Sequence, residues 1–114
     1  MIVEEMRMKV IKIGGGSLKG RKNIEEILDL VAERGRGHVI VVSALSGITD
    51  QLIDSMAQAL KDEETIPAIM SELRNKHMLV ARHVISSGQF IQKYTRDLND
   101  HLGKLERFYY GLNF

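Results

Sequence analysis

Lys12-Ile13-Gly14-Gly15-Gly16-Ser17 is the segment best suited to chemistry. Three consecutive glycines leave backbone N–H groups bare, and successive amides in a turn leading to a helix form a concave anion site. Lys12 stands at the end of a β-branched run, where its ammonium reaches the same anion, and Ser17 adds a hydroxyl. A second segment, Ser43-Ala44-Leu45-Ser46-Gly47-Ile48-Thr49-Asp50, follows another apolar run and offers the hydroxyls of Ser43 and Thr49 together with the amides of a helix start. The plain alternatives are a tight strand–helix connection for the first segment and an N-cap role for Ser46 or Thr49 in the second. Two phosphate-binding templates do not fit. A Walker A loop begun at Gly15 reaches Gly20 in register, but Arg21 and Lys22 follow it, and a dinucleotide fingerprint begun at Gly14 meets Lys19 where glycine is required.

The elements that must hold these segments are legible from periodicity. Lys9–Ile13 reads as a strand stopped by the glycines. Asn23–Arg34 carries Ile24, Ile27, Leu28 and Val31 on one helical face, with Asn23 and Glu26 as a capping pair and Gly35 and Gly37 as the stop. His38–Ser43, with four consecutive apolar residues, reads as a strand buried on both faces of a parallel sheet. Strand, helix, strand is a βαβ unit, and ligands of open α/β sheets bind beyond the carboxyl ends of the strands, where both segments fall. Farther on, Ile48, Leu52, Ile53, Met56 and Leu60 predict an amphipathic helix. Asp62-Glu63-Glu64-Thr65 is a polar break, and Pro67 suits the first turn of the next helix. That helix has Ile66, Ile69, Met70, Leu73, His77, Val80 and Val84 on its face. Ser86-Ser87-Gly88 marks a turn with Ser86 and Gln89 as a capping pair, and the last helix carries Ile91, Tyr94, Leu98, Leu102, Leu105, Phe108 and Leu112. Two long helices with a short join predict an antiparallel hairpin.

Composition narrows the function classes. In 114 residues, 16 basic and 15 acidic side chains nearly cancel, so no charge excess points to nucleic acid or an anionic membrane. The absence of Cys excludes disulfides, thiolate metal sites and a cysteine nucleophile. No apolar run approaches the ~20 residues that span a bilayer. These features predict a cytoplasmic chain without membrane or nucleic-acid partners. His77 and His83 lie six apart, not at a ligand spacing, and no metal site is expected; His101 is expected to pack in the hairpin. Phe108, Tyr109 and Tyr110 could form an interface cluster or a core edge.

Lys-x-Gly-Gly-x-Ser after the first strand and Val-Val-Ser-Ala-x-Ser-Gly-x-Thr-Asp after the second resemble the opening of the aspartate kinases, of the amino acid kinase superfamily. Asn75-Lys76-His77 and Leu105-Glu106-Arg107 are similar to the helical hairpin of the longer members. The resemblance covers Lys9 to the C-terminus and is densest over 9–52. It implies an α/β fold: the βαβ unit of an amino-acid-kinase-like parallel sheet followed by a long antiparallel helical hairpin. Residues 1–114 would be part of one such domain, with βαβ and following helix over 9–61 and the hairpin over 66–112.

The implied chemistry is transfer of the ATP γ-phosphoryl group to the side-chain carboxylate of L-aspartate, with Mg²⁺. Lys12 would bridge the transferring group as the catalytic residue. Lys12, Gly14, Gly15, Gly16 and Ser17 would hold the ATP phosphates, and Ser43 and Thr49 would contact aspartate. Ile13 and Gly16 stand where the aspartate kinases usually carry an aromatic residue and Thr, which moves the loop toward superfamily members with other acceptors. The family's Ser-x-Gly-Glu segment, its catalytic Asp and its base pocket would follow the hairpin; Ser87-Gly88-Gln89 reads instead as an interhelical turn. The isolated chain is therefore expected to be inactive, the parent to be the kinase, and the chain to self-associate or to pair with a complementary remainder of the domain. A non-catalytic phosphate-binding or assembly fragment is the alternative.

Overall fold

Residues 7–14, 16 and 18–112 are described by a computed structural model. Two compact units meet in sequence between Gly47 and Ile48. In the first, β1 (Val10–Ile13) pairs in parallel with β2 (Val39–Val42), Val10 opposite Val39 and Ile13 opposite Val42. The ladder extends at both ends. Val39 N–H donates to the Lys9 carbonyl at 3.0 Å and Ser43 N–H to the Ile13 carbonyl at 3.2 Å. At the amino end the Lys9 N–H also donates to His38 Nδ1 at 3.0 Å.

The crossover is α1 (Gly20–Arg34). Its start lies three residues before the expected Asn23, so Asn23 is interior and cannot cap. Gly20, at φ 75°, turns the chain into the helix, and the good helix formers that follow it continue the turn. Gly35 ends α1 and is required by packing: a Cβ there would lie 2.5 Å from the Val31 carbonyl oxygen and 2.9 Å from Ile40 Cδ1. Ile11, Ile13 and Ile40 face Leu30, Val31 and Arg34 of α1 across an apolar cavity of about 220 Å³. Alternation then places Val10, Lys12, Val39 and Val41 on the opposite face. The expectation that β2 is buried on both faces is not met. Val39 and Val41 are 44% and 45% exposed, because the one crossover helix covers a single face of the pair.

The second unit is helical: α2 (Ile48–Lys61), a 3₁₀ turn (Glu63–Thr65), α3 (Ile66–Val84) and α4 (Gly88–Gly111). Asp62 begins the 3₁₀ turn by accepting from the Glu64 N–H at 3.0 Å, and Pro67 sits in the first turn of α3 as expected. Ser87, not Ser86, caps α4, accepting from the Phe90 N–H at 3.4 Å. Arg74 Nε donates to Asn99 Oδ1 at 2.8 Å and Thr95 Oγ1 contacts Met78 Sδ at 3.7 Å. A step of four residues forward along α3 is thus four back along α4, which makes the expected antiparallel hairpin. The core is Ile66, Ile69, Met70, Leu73, Met78, Ala81, Leu102 and Tyr109.

Two apolar stripes are corrected. On α2 the buried residues are Ile48, Ser55 and Ala59, while Ile53, Met56 and Leu60 are exposed. The small side chains of Ser55 and Ala59 let α2 approach its neighbours closely, and the bulky stripe is turned outward. On α4, Tyr109 is buried in place of Phe108. Its hydroxyl finds the Leu52 carbonyl at 3.0 Å, so its whole ring can be buried without stranding a polar atom.

Candidate functional site

Lys12 is exposed on β1, on the sheet face away from α1, one residue before the strand ends. Gly14 and Gly16 follow; Gly15 and Ser17 lie outside the described residues. A Cβ added at Gly14 or Gly16 would meet nothing within 4 Å, and neither residue is among the glycines with positive φ. Neither packing nor backbone conformation therefore demands glycine at these positions, in contrast to Gly35. What glycine does supply there is bare backbone next to open space, which a ligand can approach closely.

The loop leads to the amino end of α1. Lys19 precedes that helix without a side-chain cap, and its first turn holds no acidic residue. Lys19 and Lys22 are exposed at this end. Cations at a helix amino terminus oppose the helix dipole, and an anion bound there relieves both. In the sequence, Lys22 counts only against a Walker A loop and Lys19 only against a dinucleotide fingerprint. The signal that could have found them is the basic cluster placed at a helix start. Along the α1 side of the loop, Gly16, Asn23, Glu26, Ile27 and Leu30 line an open groove of about 370 Å³. The Glu26 carboxylate makes that groove unfavourable for phosphate, and leaves Lys12 and the helix start as the anion-compatible sides.

Residues 43–46 of the second segment lie beside the first. Ser43 extends the ladder through its N–H to Ile13, and its Oγ donates to the Ala44 carbonyl at 3.0 Å. The Ser46 N–H donates to the Leu18 carbonyl at 3.0 Å, which ties the two loops together at the carboxyl edge of the sheet. Thr49 belongs to the helical unit. It is exposed in the first turn of α2, inside the helix rather than before it, so it is not the N-cap. Gly47, at φ 83°, precedes that helix.

The family model of the amino acid kinase family matches residues 7–107, almost the whole chain. The chain belongs to the amino acid kinase family. It is 29% identical over 75 residues to an aspartokinase from Chlamydia pneumoniae, an alignment covering 66% of this chain and 16% of that protein. It is 24% identical over 98 residues to the chloroplastic bifunctional aspartokinase/homoserine dehydrogenase 1 of Zea mays, covering 85% of this chain and 10% of that protein. The chain thus spans a sixth or less of the length of these relatives. Family match and relatives together support an aspartate kinase N-terminal region.

The remaining candidates of this amino acid kinase chain lie in the helical unit. His77 Nδ1 lies 2.7 Å from the Leu73 carbonyl one turn back, a satisfied half-buried histidine. His83 is exposed, and so is His101, contrary to its expected packing, because its α4 position points away from α3. Among the described residues, no group of three His, Cys, Asp or Glu is placed to hold a metal ion. Ser87, Gly88 and Gln89 form the cap and first turn of α4, as an interhelical turn would. No described helix is long and apolar enough to cross a membrane.

Proposed function

We propose that this chain is the phosphate-holding and acceptor-contacting opening of an aspartate kinase. Lys12 and the amides around Gly14, Gly15 and Gly16, with Ser17, hold the ATP phosphates, and Ser43 and Thr49 contact L-aspartate. A side-chain carboxylate oxygen of aspartate attacks the γ-phosphorus, the bond to the bridging oxygen of ADP breaks, and an acyl phosphate forms. Such a transfer depends on positioning and on neutralising charge spread over the transferring group. The Lys12 ammonium supplies neutralisation, and the bare glycine amides supply positioning. Mg²⁺ bound with the nucleotide would supply further charge neutralisation at the phosphates beside Lys12 and the glycine amides. The reading includes a cytoplasmic setting, where ATP is at hand.

The observation that carries this reading is the pair Gly14 and Gly16, bare toward open space beside Lys12 and free of any packing reason to be glycine. Its test is aspartate-dependent ADP release, with hydroxylamine trapping of the acyl phosphate, by the intact protein that carries this segment. Lys12→Ala is expected to lower kcat by about 10²–10³-fold, the scale for losing one group that stabilises transition-state charge. An active protein indifferent to Lys12→Ala removes the lysine from the site. Turnover with a different carboxylate or phosphate acceptor instead of aspartate passes the reading to another branch of the superfamily, a reading that Ile13 and Gly16 favour. The 114-residue chain alone is expected to show no turnover. The open valine face and the strand edges left unpaired among the described residues support self-association, or pairing with a complementary part of the domain, which sedimentation at several concentrations reads directly.

A further inference from the structure

We infer that Tyr109 is a positioning residue for the acceptor-contacting end of α2, acting through the hydrogen bond its phenol donates to the Leu52 carbonyl oxygen. The inference rests on the proposed role of Thr49. Tyr109 is 2% exposed although its neighbours Phe108 and Tyr110 are exposed, so the ring is held by packing and its hydroxyl has a fixed aim. The bond is 3.0 Å long and joins residues 57 apart in sequence, one on α4 and the other near the start of α2. Leu52 follows Thr49 by three residues, so the two share one side of the first turns.

Helix geometry passes the constraint on. The Leu52 carbonyl is the intrahelical acceptor for the Met56 N–H, and the Leu52 N–H donates to Ile48. The side chains that α2 buries are Ile48, Ser55 and Ala59. Apolar packing is non-directional and restrains rotation and sliding of a helix less sharply than a hydrogen bond does. A directional hydrogen bond from a packed phenol resists both, and it acts one turn from Thr49. Loss of that bond lets the Thr49 hydroxyl wander, and sub-ångström misplacement of a binding group is costly to a reaction that works by positioning.

Tyr109→Phe removes the hydroxyl and keeps the ring, with Tyr94→Phe on the same helix as the control. In the intact protein, Tyr109→Phe is expected to raise KM for aspartate about two- to tenfold, the scale of one neutral hydrogen bond, and to leave KM for ATP unchanged. Thr49→Ala is measured in parallel. In the 114-residue chain, the amides of Leu52, Ile53 and Met56 are expected to exchange with solvent about two- to tenfold faster in Tyr109→Phe, with Leu73 and Met78 on α3 unchanged. A raised aspartate KM in Thr49→Ala with none in Tyr109→Phe overturns the inference. So does an equal rise in both KM values, which marks a general structural role. If Thr49→Ala leaves the aspartate KM unchanged, the Thr49 assignment fails by itself. Amide exchange then decides the Tyr109 constraint: faster exchange near Leu52 upholds it, and unchanged exchange overturns it.

Discussion

The βαβ unit and the helical unit are built in opposite ways. Among the described residues, the βαβ unit buries the apolar side chains of Ile13 and Ile24, whereas the helical unit buries Ile66, Met70, Leu73 and Tyr109 almost completely. The βαβ unit keeps an apolar cavity of about 220 Å³ beneath α1 and an open valine face on the other side of its sheet. Its shape depends on backbone bonds between segments about thirty residues apart, such as Val39 to Lys9 and Ser43 to Ile13. The helical unit closes its hairpin through side chains in register. The proposed phosphate-holding residues all belong to the loosely filled unit. The lesson is that bare backbone for a ligand and a dense core make competing demands on a small unit, and here they are met by different stretches of one chain.

The largest test of this contrast is Leu73→Ala. It removes a side chain that is 1% exposed and is expected to cost about 2–5 kcal/mol in denaturant unfolding followed by helical circular dichroism. A loss below about 1 kcal/mol would mean that the hairpin core is not the denser one. Next comes Gly35→Ala, where the new Cβ meets the Val31 carbonyl oxygen and Ile40 Cδ1. Its expected cost is about 1–3 kcal/mol, read as faster amide exchange in β1 and β2, and a neutral result would show that the cavity beside it absorbs the methyl. A smaller effect is expected at alkaline pH. Burial pushes the phenols of Tyr94 and Tyr109 above their ordinary value of 10.0. The folded chain then holds these protons more tightly than the unfolded chain. The contribution is full below pH 10 and is lost as pH rises through the raised values, so melting temperature should fall there. Tyr109→Phe should flatten that fall, and an unchanged pH profile would remove Tyr109 as its source. The smallest effect belongs to Val41→Thr on the open sheet face, expected within about 0.5 kcal/mol of the parent. A larger loss would reveal that this face is covered in solution.

Much of the fold can be read from neighbours in sequence. The β-branched runs, the stop at Gly14, the break at Asp62, Pro67 in the first turn of α3 and the short hairpin join all rest on interactions within a few residues, which any local window contains. The two loops at one sheet edge also follow from strand order. The misplaced caps are of a different kind. Asn23 and Ser86 are good cap residues, but Gly20 and Ser87 have the backbone turns that the chain uses.

The sequence by itself determined the element types, their order and the glycine loop with Lys12, because helix and strand periods and the freedom of glycine are local properties. Only the tertiary structure decided which of two stripes on α2 turns inward, Ser55 and Ala59 over Ile53, Met56 and Leu60. It likewise chose Tyr109 over Phe108 and tied Ser46 to Leu18. Each of these outcomes turns on a partner distant in the sequence: the helices packed against Ser55 and Ala59, a carbonyl oxygen 57 residues away, or the loop after another strand. Hydrophobicity ranks candidates for burial, but the shape and hydrogen-bonding capacity of the facing element select among them.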